Sequence, residues 1–145
     1  MRDFGAGKFR PHGELQMHLD GDIIIYTAVG PFNLEAIMAL GKARRAGLAR
    51  WQARSRKVSI AVFQNSLFMS QDALDAYATG LKRYFDDAPR AEAVAWVVPA
   101  DVEGRSIMLP KFEHIFIDLG IPWRLFERLE DAKTWISSVW TTPKG

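Results

Sequence analysis

The chain has 145 residues, 48% of them hydrophobic and 25% charged, with a formal net charge of +2; this is the size of one domain, able to bury roughly two-thirds of its unfolded surface without staples. It contains no cysteine, which excludes disulfides, thiolate metal sites and cysteine nucleophiles and fits a reducing compartment. No apolar stretch follows Met1, and the longest apolar runs fall far short of the ~20 residues a membrane span requires, so the expectation is a soluble cytoplasmic protein.

Residues 1–12, with Gly5, Gly7 and Pro11 among alternating charges, read as a flexible lead-in to a single domain over 13–145. Residues 14–20 alternate apolar and polar side chains, the pattern of a strand with one wet face. Gly21 and Asp22 form a tight turn. Residues 23–29 are β-branched and nearly continuous, a strand buried on both faces that pairs with the first as a hairpin. Gly30 and Pro31 break it. Asn33 is a good N-cap and Glu35 lies in a first helical turn. Leu34, Ile37, Met38 and Leu40 set the helical period, and the helix is expected to end near Gly47.

Residues 58–63 form a second buried strand. Ser70 caps a helix to about Tyr84 that turns Leu74, Tyr77, Leu81, Tyr84 and Phe85 inward. A strand over 93–98 ends at Pro99. A helix over 104–119 follows, with Pro110 expected to disturb its first turns, and Gly120 stops it. Leu125 and Phe126 belong to a short last strand. The closing helix turns Ala132, Trp135, Ile136 and Val139 to one face. The order is ββαβαβαβα: an α/β protein with a mostly parallel sheet, an antiparallel first strand and packed helices.

That order resembles the STAS domain class, the fold of anti-sigma-factor antagonists, and more closely its stand-alone SpoIIAA-like bacterial members, which are also compared with CRAL-TRIO lipid-binding domains. Three stretches carry the resemblance: residues 29–35 at the first strand-to-helix junction, the strand 58–63 with its loop 64–70, and the closing segment 126–135. It covers nearly the whole chain from Glu14 onward, mainly through order and spacing. The resemblance implies a non-catalytic binding or regulatory module, for a protein partner, a lipid or a small anion, without a cofactor. It also implies an alternative, a phospho-regulated antagonist. In those proteins the loop ends in an acidic residue followed by the phosphorylated serine; here those positions fall on Ser70 and Gln71, so Ser70 would serve only with a one-residue shift.

Several groups of residues are candidate sites. Asn65, Ser66, Leu67, Phe68, Met69, Ser70 and Gln71 leave the C-terminal end of a parallel strand, where ligands of open α/β sheets sit. The apolar tip Leu67–Met69 either contacts a ligand, partner or bilayer, or folds back to plug the sheet. Charge is also uneven. Between Glu35 and Asp72 there is no acidic residue but seven basic ones, so this segment carries +7 and the remainder −5, the difference from the net +2. Within it Lys42, Arg44, Arg45, Arg50, Trp51 and Arg54 are candidates for an anionic surface, above all a peripheral contact at the inner membrane face. Nucleic acid is the weaker reading, because no recognised binding motif accompanies the charge. Arg105 and Ser106, at a helix N-terminus, are a candidate anion site.

Signals for catalysis are thin. Gly5-Ala-Gly7-Lys8 lacks the spacing and preceding strand of a phosphate-binding loop. His12, His18 and His114 have no metal-ligand spacing. His114 with Glu113 and Asp118 has acid–base chemistry but also the spacing of a helix-surface charge pair. The runner-up is therefore a small enzyme acting on an anionic or lipid-like substrate through His114 or Ser70. The aromatic residues Trp96, Phe112, Phe116, Trp123, Phe126 and Trp135 read as core packing, some of them able to line a cavity, and apolar edges make a homodimer a further expectation.

Overall fold

A computed structural model describes residues 14–21, 23–51, 58–87 and 93–141, with the backbone alone at 47–51, 87, 140 and 141. Nine elements follow in the order β1 (Glu14–Asp20), β2 (Ile23–Val29), α1 (Leu34–Trp51), β3 (Val58–Gln64), α2 (Gln71–Asp87), β4 (Ala93–Val97), α3 (Arg105–Leu119), β5 (Trp123–Phe126) and α4 (Leu129–Thr141). This is the expected α/β order. The lead-in 1–12 lies outside the described residues.

The sheet runs β1-β2-β3-β4-β5. β1 pairs antiparallel with β2, Met17 opposite Tyr26, and the remaining neighbours are parallel. Each parallel strand is added at the same edge, so right-handed crossovers put α1, α2 and α3 on one face. There Ala28, Phe63 and Trp96 from the strands meet Ile37, Tyr77, Leu81, Phe112 and Phe116 from the helices. α4 covers the opposite face, seating Ala132 and Ile136 against Ile25, Ile60, Ala95 and Val97. Trp96, Phe112 and Phe116 are almost fully buried, and each stabilises the fold by roughly 1.5–3 kcal/mol on transfer grounds.

Local signals place the helix ends. The Asn33 side chain accepts the Ala36 N–H at 3.0 Å, and the Ser70 hydroxyl lies 3.4 Å from the Ala73 N–H, so both act as N-caps. Gly120, at φ 69°, closes α3 and donates its N–H to Ile117. α1 runs on to Trp51 rather than ending near Gly47. Met38 is 62% exposed, so the inward phase of α1 passes through Ile37 and Leu40 and not Met38. α3 continues through Pro110. Ser106, whose carbonyl loses its intrahelical donor there, is exposed with Pro110, and water can take the place of the missing bond.

Since the strand order never reverses, the sheet has no topological switch point and opens no crevice of that kind at its C-terminal edge. That edge is stitched shut. Phe32 N–H donates to Phe68 O at 2.8 Å, Leu67 N–H to Glu103 O at 2.8 Å and Glu103 N–H to Asn65 O at 3.0 Å. The Asn65 amide donates to Gly30 O at 2.6 Å. Gly30 is required here, because a Cβ on it would sit 2.0 Å from the Ser66 carbonyl oxygen.

Candidate functional site: an apolar cavity beside Arg44

α1 crosses the sheet face where small residues oppose small residues. Ala36 and Ala43 on the helix look onto Ala28 on β2 and Ala61 on β3, and a cavity of ≈ 250 Å³ remains between them. Interiors normally interdigitate large against small; alanine against alanine leaves the space unfilled. Phe63, Trp96, Phe112 and Phe116 form the far wall, and Tyr77, Leu81 and Tyr84 from α2 close the side.

Among the described residues, one fixed cation reaches this space. Arg44 follows Ile37 and Leu40 at helical spacing, so it lies on the inward stripe of α1. Its guanidinium carbon is 5.3 Å from the ring centroid of Tyr84, 5.8 Å from Tyr26 and 5.9 Å from Tyr77. Each ring is within the ~6 Å at which a cation is drawn to an aromatic face. Burial pushes the Arg44 pKa down, but its tyrosine neighbours, Tyr26 first, outweigh this and leave it above the ordinary value. The side chain is charged at every accessible pH. Burial in turn pushes the Tyr77 hydroxyl up to about 12, with Arg44 opposing, and raises Tyr84 as well. These two phenols are neutral at pH 7. Among the described residues no carboxylate forms an ion pair with Arg44.

Leu15 on β1, opposite Ala28 on β2, lines the other end of the cavity, and its neighbour Glu14 is exposed.

The expected sites are distributed differently. In loop 64–70, Leu67 and Ser66 are wholly buried and Met69 is partly so, while Phe68 is 36% exposed. The Phe68 ring lies against Gly104, 3.1 Å from where a Cβ would stand. Asn65, Ser70 and Gln71 are at the surface. The Gln71 amide bonds Asp75 and the Ser70 hydroxyl bonds Asp72. Only Met69 of this loop reaches the cavity. In the basic segment, Lys42 and Arg45 are exposed, whereas Arg44 turns away from them into the cavity. The side chains of Arg50 and Trp51, and Arg54 altogether, lie outside the described residues. Arg105 folds back, its Nε donating to Val98 O at 3.1 Å and its guanidinium 3.8 Å from Glu127, with Ser106 exposed beside it. His114 sits 3.4 Å from Asp118, both largely exposed, as a helix-surface pair. Neither His114 nor Ser70 lines the cavity. Among the described residues no group of three or more His, Asp or Glu gathers as metal ligands, and no helix is long and apolar enough to cross a membrane.

The sequence did carry a signal for this site. Arg44 stands among cations and reads as surface, but its helical phase relative to Ile37 and Leu40 puts it inside. The alanines, unremarkable one by one, face each other only once the register of β2 on β3, Ala28 opposite Phe63 and Tyr26 opposite Ala61, is known. Comparisons with protein families, with curated proteins and with solved structures find no match.

Proposed function

We propose that this chain is a non-catalytic binding module, of the STAS or SpoIIAA-like kind that its element order suggests, and that the cavity beneath α1 takes a small, largely apolar molecule. The observation that carries the reading is the ≈ 250 Å³ cavity, walled mostly by apolar side chains and, among the described residues, approached by the Arg44 guanidinium. Pockets of this composition, apolar with a few placed polar groups, are the usual form of a small-ligand site. Taking each water-sized unit as ~30 Å³, the space suits a molecule of about eight non-hydrogen atoms. The enzymatic alternative has less support, since His114 and Ser70 lie away from the cavity and from any nucleophile–base arrangement among the described residues.

The test is an NMR titration with apolar fragments of about six to ten non-hydrogen atoms. Binding is expected to move the backbone signals of Ala28, Ala61 and Trp96, and to be lost in Ala43→Leu and in Ala61→Val, which fill the space. Fragments that move none of these signals, or that bind both filled variants as well as the native protein, overturn the proposal.

A further inference from the structure

We infer that the ligand of this cavity is a small monocarboxylate with an apolar body, its carboxylate held by the Arg44 guanidinium and its body lying towards Phe63 and Trp96. The inference rests on the cavity being a binding site and adds the chemical class of what it takes.

Charge comes first. Arg44 is set among three tyrosine rings, and among the described residues no carboxylate pairs with it. Arg44 is half-buried, and a cation partly withdrawn from water is costly unless it is paired. The ring faces of Tyr26, Tyr77 and Tyr84 compensate part of that cost, but none supplies the negative charge that a ligand anion would.

Geometry points the same way. The guanidinium carbon lies 5.3 Å from the Tyr84 ring centroid, 5.8 Å from Tyr26 and 5.9 Å from Tyr77. Its planar fork of N–H donors suits the two oxygens of a carboxylate.

The size of the charge selects carboxylate over phosphate. One guanidinium neutralises one negative charge, and a phosphate monoester carries nearly two at pH 7. The neighbouring cations Lys42 and Arg45 are exposed on α1 and do not line the cavity. The carboxylate therefore belongs at the Arg44 end. Ala28, Ala61, Phe63 and Trp96 offer apolar contact, and Ser59 also lines the cavity.

The experiment compares butanoate, hexanoate and octanoate with their amides, which have the same shape without the charge, and with inorganic phosphate. Binding is followed by NMR on the native protein and on Arg44→Gln and Arg44→Lys, with circular dichroism to confirm folding. The expected result is at least one carboxylate bound tenfold or more tightly than its amide. That preference should be lost in Arg44→Gln and reduced in Arg44→Lys, which keeps the charge without the fork. If acids and amides bind equally, the cavity reading stands and the carboxylate inference falls. A preference for acid that survives Arg44→Gln, or tighter binding of phosphate at the same signals, also overturns it. If none of the six organic probes binds, both readings fall together. Should Arg44→Gln not fold, Arg44→Lys and the acid-to-amide ratio in the native protein decide the matter.

Discussion

The guanidinium of Arg44 on α1 lies 5.3 Å from the ring centroid of Tyr84 on α2, so the cation of one crossover helix is capped by an aromatic residue of the next. This contact ties the two helices together at the end of the cavity away from loop 64–70. It also explains why a residue from the most basic stretch of the chain faces inward. The ring faces of Tyr26, Tyr77 and Tyr84 offset part of the desolvation, at about 0.5–1 kcal/mol for each such contact.

Filling the cavity should strengthen the fold while removing its capacity to bind. Ala43→Leu adds three carbons next to unfilled space, and each buried methylene contributes up to about 0.8 kcal/mol. We expect a gain of about 1–2 kcal/mol, read as a rise of several degrees in Tm for a chain of this size. A lowered Tm would mean that the space does not accept the side chain and that overpacking dominates.

Alkaline pH should destabilise the protein through Tyr77. Its hydroxyl is raised, by burial first, from 10.0 to about 12. Between those values the unfolded chain releases the proton and the folded one keeps it. The folded state then binds more protons, so stability falls as pH rises. The stabilisation is fully present below pH ~10 and lost on passing ~12, a change on the order of 2 kcal/mol. Unfolding free energies measured at pH 9 and pH 11.5 should show this decline, and Tyr77→Phe should flatten it. An equally steep decline in the variant would assign the effect to other groups.

The junction after β2 should tolerate no side chain at Gly30. A Cβ there would meet the Ser66 carbonyl oxygen at 2.0 Å and the Phe32 ring at 2.8 Å. Ser66 cannot retreat, since it is wholly buried and its hydroxyl accepts the Phe68 N–H at 3.0 Å. Gly30→Ala is expected to cost about 3 kcal/mol or more, beyond ordinary overpacking. Urea denaturation would show it as a lowered midpoint at unchanged slope; a loss under about 0.5 kcal/mol, the range of neutral surface changes, would contradict the close approach.

What the sequence determined by itself is local. Alternation over 14–20, the β-branched run 23–29, the caps Asn33 and Ser70 and the stop at Gly120 are decided by a residue and its near neighbours, and together they set the order ββαβαβαβα. The end of α1 and the continuity of α3 through Pro110 were less legible, because they depend on which groups water can still reach. The site was decided by tertiary structure. The helical phase of Arg44 sets it on the inward stripe of α1 despite its charge, and the packing of α1 against α2 brings it to three tyrosines drawn from two other elements. Alanines carry no sign of a void until strand register and helix placement set Ala36 and Ala43 over Ala28 and Ala61. The same assembly sealed the edge where a ligand was expected, burying Leu67 and Ser66 of loop 64–70, because successive strands were added without the reversal that opens a crevice.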